Sequence, residues 1–257
     1  IQMPDQPALV IVSLTLKTPA GHVLHRNFTT FNITNGSLPR DETITLNNSQ
    51  ARVIRIPADD FSDARWTLKQ WNIFNGLKVN GAGAGYFEYR IPFPKNLNVL
   101  QIQEAVFRIE ASTKLLLGKD KTDAKMNGDY MRGKGTHDPA RNPNAYPMTD
   151  ETTFPGTVRI RFNGESIGQF DLPDNPADHR GILSWHEQKQ DRTLHEAGSY
   201  GYLISAIIPA EVLQNAARAR ELILRLEVND ACPTGLAIYG HRFGRYPIDP
   251  TIIFVLK

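Results

Sequence analysis

The chain has 257 residues, of which 40% are hydrophobic and 22% charged, and 29 Lys and Arg residues nearly balance 27 Asp and Glu residues. This composition excludes an intrinsically disordered chain, which needs low hydrophobicity and high net charge. No apolar run approaches the ~18 residues of a membrane-spanning helix, and the single cysteine, Cys232, excludes a disulfide scaffold. The near-neutral charge also argues against nucleic-acid binding, because such domains are typically strongly basic.

The first 36 residues read as a separate structural unit. Residues 10–16 (VIVSLTL) and 23–28 (VLHRNF) have extended patterns on either side of a turn, which predicts a hairpin of the kind that immunoglobulin-like sandwiches use. Two strands cannot bury a core alone. We therefore predict that residues 1–36 are the end strands of an immunoglobulin-like domain or a linker, with a boundary near Asn35 and Gly36.

Residues 37–257 show repeated strand patterns. Strand-like runs, most of them alternating, cover residues 43–46, 51–56, 86–92, 105–111, 158–162, 222–228 and 251–256. Asn-Gly pairs starting at Asn75, Asn80 and Asn163 indicate turns, and the last predicts a hairpin. Residues 209–220, which begin with proline and are rich in alanine, predict the one helix. The expected fold is an all-β antiparallel sandwich of jelly-roll type with one short helix.

A segment of about thirty residues, 118–151, shows neither the alternation of a strand nor the 3.6-residue period of a helix. It contains Tyr130, Arg132 and His137 among glycines and prolines. A loop this long within a compact domain is normally functional or disordered. Its aromatic and charged residues favour an ordered, functional loop.

Several segments resemble a known family. They are GAGAGYFEYRIP (81–92), DHRGILSW (178–185), GLAIYG (235–240) continuing to GRYP (244–247), VRIRFNG (158–164) and GSYG (198–201). Together they resemble the galactose-binding-like jelly rolls of bacterial carbohydrate-active enzymes, above all the C-terminal region of large glycoside hydrolase family 2 proteins. Residues 12–28 look like the last strands of the immunoglobulin-like domain that precedes such a module.

The resemblance implies a non-catalytic carbohydrate-binding accessory domain, covalently linked to a glycosidase and acting on plant or host polysaccharide. It implies a secreted, periplasmic or cell-surface location in bacteria. A lone cysteine fits either a secreted bacterial protein or a reducing compartment. The sequence starts at Ile1 without a signal-peptide pattern, which is typical of an excised fragment or a mature product.

Three tryptophans are candidate sugar platforms, because flat rings cover the apolar faces of pyranoses while planar polar groups bind the hydroxyls. Trp66 and Trp71 lie five residues apart in a segment rich in asparagine and glutamine. Trp185 follows a polar cluster and is the first choice. The alternative for each ring is packing in the core or at a sheet edge.

Two polar clusters accompany these rings. Asp178, His179 and Arg180 would present an acceptor, a tunable donor and a forked donor, and arginine suits a carboxylate if the glycan is acidic. Asp178 and Arg180 pairing with each other is the alternative. The second cluster comprises His241, Arg245 and Tyr246; here the alternative is local packing of Tyr239 and Tyr246 beside solvated arginines.

An enzyme is the competing hypothesis. Glu88, Glu110, Asp129 and Glu227 are candidate carboxylates for a glycosidase, but no catalytic motif surrounds them, and Glu88 is expected to be exposed or paired. A β-sandwich polysaccharide lyase acting on a uronate-containing glycan would use residue types found at Tyr130, Arg132, His137 and His179. A structural domain of the parent glycosidase without a sugar site is the third reading.

No cofactor is expected to be required. The sequence shows no paired histidine and cysteine spacing typical of zinc. A structural calcium stays open in this fold class, with oxygen ligands from Asp129, Asp138, Asp171 or Asp230.

Overall fold

A computed structural model describes residues 8–33, 38–46, 49–73, 75–114, 156–172, 201–232 and 234–257. Within them lie fifteen β-strands, one α-helix and one 3-10 helix (Val99–Gln101). The strands are β1 (Ala8–Lys17), β2 (Val23–Ile33), β3 (Asp41–Leu46), β4 (Ser49–Arg55), β5 (Asp63–Trp66), β6 (Lys69–Ile73), β7 (Lys78–Ala82), β8 (Gly85–Pro92), β9 (Ile102–Ser112), β10 (Thr157–Phe162), β11 (Glu165–Asp171), β12 (Tyr202–Ile207), β13 (Glu221–Val228), β14 (Leu236–Tyr239) and β15 (Thr251–Leu256). The predicted all-β class is confirmed.

Two antiparallel sheets form a sandwich-like arrangement. The smaller sheet has the strand order β11-β10-β13-β8-β5. The larger sheet has the order β3-β4-β15-β9-β14-β7-β6, and β12 pairs with β9 as its eighth strand. Most neighbours in both sheets are distant in sequence, so the fold depends on long-range pairing.

The core lies between the inner faces of the two sheets. Phe87 and Tyr89 from β8 and Phe107 from β9 are fully buried there. The rings of Phe107 and Phe162 meet at 5.6 Å between centroids and nearly at right angles, which joins β9 to β10. Burying one such side chain stabilises the fold by roughly 2 kcal/mol. The apolar positions of the alternating strand patterns therefore face the core between the two sheets.

The α-helix spans Ala210–Ala219 and confirms the prediction for residues 209–220. Pro209 is its N-cap, where a missing N–H costs nothing. Arg220 ends it in the left-handed conformation, with a φ of 59°. Val212, Leu213 and Ala216 are the buried residues of the helix, at the spacing that one helical face requires.

Two of the three Asn-Gly turn predictions are confirmed. Asn163 and Gly164 have φ values of 49° and 86° between β10 and β11, and Asn75 and Gly76 have 52° and 90° before β7. The prediction at Asn80 is wrong, because Asn80 lies within β7 opposite Trp71 of β6 and Ala237 of β14. Hydrogen bonding to strands on both sides outweighs the local turn preference of the pair.

Strands β1 and β2 form a two-stranded sheet of their own, as the hairpin prediction requires. Aliphatic residues on both faces of this hairpin are exposed, including Leu9, Ile11, Leu14 and Leu16. The hairpin contacts the sandwich through Phe28 and Thr30, described below. The assignment of residues 1–36 to an immunoglobulin-like domain stays a prediction.

The outer face of the smaller sheet is covered by paired charges. Glu88 on β8 forms an ion pair with Arg225 on β13 and is almost fully buried. Glu227 accepts hydrogen bonds from Arg159 at 3.3 Å and from Arg161 at 3.1 Å. Glu88 was expected to be either exposed or paired, and it is paired. Glu88 and Glu227 are thus tied to arginines on neighbouring strands.

Candidate functional site

The outer face of the larger sheet carries an unusual group of buried polar residues. Its buried members are Lys78, Asn80, Glu110, Ser112, Lys114 and Tyr239, and together with the half-buried Trp71 we call them the outer-face cluster. The cluster spans strands β6, β7, β14 and β9 and the residues that follow β9. Polar groups are rarely buried without a structural or ligand-binding reason.

Strand alternation places these side chains together. In β7, Val79 enters the core between the sheets, so Lys78 and Asn80 point to the opposite face. Asn80 stands opposite Trp71 on β6, and Ala237 on β14 separates Asn80 from Ser112 on β9. The row Trp71, Asn80, Ala237, Ser112 therefore crosses four strands, with a small side chain between the two polar ones.

Asn80 is the residue of the cluster with an unmet hydrogen-bonding demand. Its side chain is fully buried, and neither its Oδ1 nor its Nδ2 has a hydrogen-bond partner among the described residues. Leaving a buried amide unpaired costs about 1–3 kcal/mol. Asn80 is therefore the residue of the cluster whose hydrogen-bonding capacity the described residues leave unused.

Lysine ammonium groups lie close to aromatic rings in this cluster. The Nζ of Lys78 lies 4.7 Å from the ring centroid of Tyr239 and 5.3 Å from that of Phe243. Trp71 is half-buried, and its indole centroid lies 5.6 Å from the Nζ of Lys114. Such cation–π contacts hold the ammonium groups in place.

The hydroxyl of Tyr239 is satisfied locally. Its oxygen lies 3.0 Å from Ser112 Oγ, and either group can donate. Tyr239 is fully buried and packs against Phe243. This arrangement matches the local-packing alternative considered for Tyr239.

Glu110 holds the loops beside the cluster. Its Oε1 accepts hydrogen bonds from the backbone N–H groups of Gly201 at 2.8 Å and Arg245 at 2.9 Å, and its Oε2 accepts one from Tyr246 at 2.8 Å. A Cβ on Gly244 would overlap the carboxylate, so this close approach requires glycine. Glu110 thus anchors a loop rather than a ligand.

Burial changes the acid–base behaviour of Glu110. Desolvation raises the pKa of its carboxyl from an ordinary value of 4.5 to about 7, although the three N–H donors and the charge of Lys78 lower it. The native state therefore binds a proton between about pH 4.5 and 7 that the unfolded state has released. Stability from this proton is complete below pH 4.5 and is lost as the pH rises through 7.

We expect Glu110→Gln to remove this pH dependence. The free energy of unfolding of the wild type, minus that of the variant, should fall by about 3 kcal/mol between pH 4.5 and 7.5. Urea denaturation at four pH values measures the difference. Glu104→Gln on the same face of β9, where Glu104 is exposed, is the matched control. Parallel pH profiles for wild type and Glu110→Gln would contradict the expectation.

The loop 240–247, which follows β14, contains three predicted site residues. It also contacts the hairpin of β1 and β2. The guanidinium of Arg245 lies 3.9 Å from the ring centroid of Phe28, and Tyr246 contacts the same ring at 5.9 Å. Thr30 Oγ1 donates to the carbonyl of Arg245 at 2.8 Å. Arg245 and Tyr246 thus take part in a contact between β2 and the loop.

His241, the third, is held by an acidic residue. Asp249 Oδ2 lies 2.9 Å from His241 Nδ1, and its Oδ1 accepts from the His241 backbone N–H at 3.0 Å. Asp249 is itself almost fully buried. The pair fixes the orientation of the imidazole at the start of the loop.

The two tryptophans described by the structure have different surroundings. Trp66 packs at 5.0 Å from Phe87 against the core, and Gly81 lies directly beneath its indole. Trp71 packs beside the outer-face cluster and keeps partial exposure. Both rings are partly exposed, but Trp66 packs against the core between the sheets, so Trp71 is the ring on the outer face.

The other predicted site residues lie outside the described residues. They are Tyr130, Arg132, His137, Asp178, His179, Arg180 and Trp185. Sequence reasoning had not selected Lys78, Asn80, Ser112 or Lys114. Lys78 and Asn80 could have been found from the period of two in β7, but the Asn80-Gly81 pair indicates a turn when it is considered alone.

Metal binding has no support in the described part of the chain. Three or more histidine, cysteine, aspartate or glutamate side chains do not converge anywhere within it. Of the proposed calcium ligands, Asp171 and Asp230 lie in this part, and Asp129 and Asp138 lie outside the described residues. Among the described residues, no helix has the length and apolar character that crossing a bilayer requires.

Comparison with known proteins adds no assignment. No protein-family model matches the chain, and no curated protein matches it. The likeness to galactose-binding-like modules of glycoside hydrolases therefore stays a prediction.

Proposed function

We propose that the chain is a non-catalytic carbohydrate-binding module whose glycan site is the outer-face cluster. The observation that carries this proposal is the partly exposed indole of Trp71, which stands opposite a buried amide, Asn80, that has no hydrogen-bond partner among the described residues. Asn80 itself is fully buried, so the exposed part of the Trp71 indole is the surface that a sugar would contact. An indole covers the apolar C–H groups of a sugar ring.

A rigid sheet suits this role. Trp71 lies on β6, which is held by its pairing with β7, so little conformational entropy is lost on binding. The site would therefore be preorganised for a sugar ring.

Binding rather than catalysis fits the carboxylates of the described residues. A glycosidase needs two carboxylates that face one substrate bond. Glu110 is engaged by three backbone N–H groups, and Glu88 and Glu227 are paired with arginines on the other sheet. In a longer protein that includes a glycosidase, such a module would raise the enzyme's concentration on its polysaccharide.

Trp71→Ala tests the proposal. We expect it to weaken binding to polysaccharide by about tenfold or more, because each buried aromatic contact contributes roughly 1.5 kcal/mol. Affinity electrophoresis with pectin, xylan and galactan measures the retardation. Gln70→Ala, which removes an exposed neighbour on the opposite face of β6, should leave retardation unchanged.

Two outcomes would count against the proposal. A folded wild-type chain that is not retarded by any polysaccharide would favour a structural domain without a sugar site. Release of reducing ends or of unsaturated products by the isolated chain would favour an enzyme. Circular dichroism and thermal unfolding on the same samples establish that each variant is folded.

A further inference from the structure

We propose that Asn75, in the turn between β6 and β7, is a site of spontaneous deamidation, at which the backbone nitrogen of the next residue attacks the side-chain amide. This inference does not depend on the proposed function. The chain has five Asn-Gly pairs, and those that begin at Asn75, Asn80 and Asn163 lie within the described residues. Such pairs are especially susceptible to this reaction, because glycine has no side chain that would obstruct the attack.

The reaction balances with water as its only co-reactant. The backbone nitrogen of Gly76 gives up its proton to the solvent and attacks Cγ of Asn75. A nitrogen–carbon bond forms, the bond from Cγ to Nδ2 breaks, and Nδ2 takes up a proton and leaves as ammonia. Water then opens the resulting succinimide ring at either of its two carbonyl carbons, which gives aspartate or isoaspartate. The net change replaces the amide NH₂ by a hydroxyl group, which ionises and adds one negative charge.

The turn leaves Asn75 free to react. Its side chain is exposed and forms no hydrogen bond with the described residues. Asn75 and Gly76 lie among the four residues that join Ile73 to its partner Lys78, so neither belongs to a strand pair. Gly76 is buried, but the nearest atoms on its side-chain side belong to Asp59, an exposed residue whose rotamer changes rapidly. Rearrangement of this turn therefore requires no strands to separate.

The same dipeptide at Asn163 is held in place. The Oδ1 of Asn163 accepts a hydrogen bond from the N–H of Ile223 at 2.9 Å, and its Nδ2 donates to the carbonyl of Glu221 at 3.2 Å. Attack at Cγ requires the amide to turn out of both contacts. We therefore expect the reaction at Asn163 to be about thirtyfold slower than at Asn75.

Asn80 is the most protected of the three asparagines. It is fully buried within β7, and Gly81, which follows it, is paired with Gln70 of β6 and Leu236 of β14. Reaction there requires β7 to separate from both neighbours, so we expect it to be about a thousandfold slower than at Asn75, or slower still. The fold, and not the dipeptide, thus sets the order of reaction.

Incubation of the chain at mildly alkaline pH, followed by trypsin digestion and mass spectrometry, tests the proposal. Cleavage after lysine and arginine places the three pairs in separate peptides, 70–78, 79–90 and 162–180. We expect the amide to be lost first at Asn75, with the aspartate and isoaspartate forms separated by chromatography. Asn72 lies in the same peptide as Asn75 but precedes isoleucine, so it is the internal control. A sample digested without incubation corrects for reaction during digestion.

The same incubation in guanidinium chloride separates the effect of the fold from that of the dipeptide. In the denatured chain the three pairs should react at rates within about threefold of one another. In the folded chain the rate at Asn75 should stay within about tenfold of its denatured rate, and a larger decrease would overturn the proposal. A rate at Asn163 or Asn80 within about threefold of that at Asn75 in the folded chain would also overturn it.

Discussion

Replacing Glu110 by alanine should lower the free energy of unfolding by about 4 kcal/mol at pH 7, close to the whole stability of a marginal domain. The substitution leaves three backbone N–H groups without their acceptor, at Gly201, Arg245 and Tyr246. Each buried orphan donor costs about 1–3 kcal/mol, and opening of the loop to water recovers part of that cost. Urea denaturation followed by tryptophan fluorescence measures the loss.

Glu104→Ala is the matched control for this prediction. Glu104 lies on the same strand and face as Glu110 but is exposed, so its loss should change stability by less than about 0.5 kcal/mol. A loss below about 1 kcal/mol for Glu110→Ala would show that the loop 240–247 is held in place by other contacts.

The second large effect is expected at Gly235, just before β14. Its φ of +78° disfavours any other residue, and a Cβ there would overlap the carbonyl oxygens of Gly81 and Lys114 and lie 2.9 Å from the Cα of Ala82. Gly81 and Ala82 belong to β7, which is paired with β6 and β14, so their backbone atoms cannot move separately. We expect Gly235→Ala to destabilise the fold by about 4 kcal/mol, of which the positive φ accounts for about 1 kcal/mol.

Gly164→Ala isolates the contribution of the backbone overlap. Gly164 has a similar φ of +86°, but a Cβ there would meet nothing within 4 Å. Its replacement should cost only about 1 kcal/mol, so the difference between the two variants measures the close approach of the strands. Soluble yield and circular dichroism provide the comparison if Gly235→Ala does not fold. Equal destabilisation by the two variants would contradict the prediction.

Both large effects concern the surroundings of the outer-face cluster. Glu110 holds the loop 240–247, which contains Phe243. Gly235 allows β14, which carries Tyr239, to lie against β7, which carries Asn80. The proposed site therefore depends on backbone positions that no ligand would touch. Asn80 can stay without a hydrogen-bond partner among the described residues because the strands around it cannot shift to supply one.

The sequence predicted those strands whose pattern is local. The two ends of β15, Thr251 and Leu256, coincide with the predicted run, and the hairpin at Asn163 agrees because the turn chemistry and the flanking alternation favour the same structure. The helix was predicted by Pro209 and the alanine-rich run that follows it. In these cases a period of two or a helical composition extends over enough residues to be distinct.

Short or glycine-containing strands escaped prediction. β5 and β14 have four residues each, and β7 contains the Asn80-Gly81 pair, which on its own indicates a turn. Pairing with β6 and β14 supplies hydrogen bonds that a local turn cannot match, and Gly81 is needed where the Trp66 indole covers the strand. The candidate cluster was missed with β7, since its central amide belongs to that strand.

By itself, the sequence determined that the described part of this protein is an all-β sandwich with a short helix, because alternation and turn chemistry act between near neighbours. It did not determine which outer surface would collect polar groups. That depended on the order β9-β14-β7-β6, which aligns Ser112, Ala237, Asn80 and Trp71 from three distant parts of the chain. Only the tertiary structure decides such an alignment, since strand pairing is specified by packing across the whole sandwich and not by any one segment.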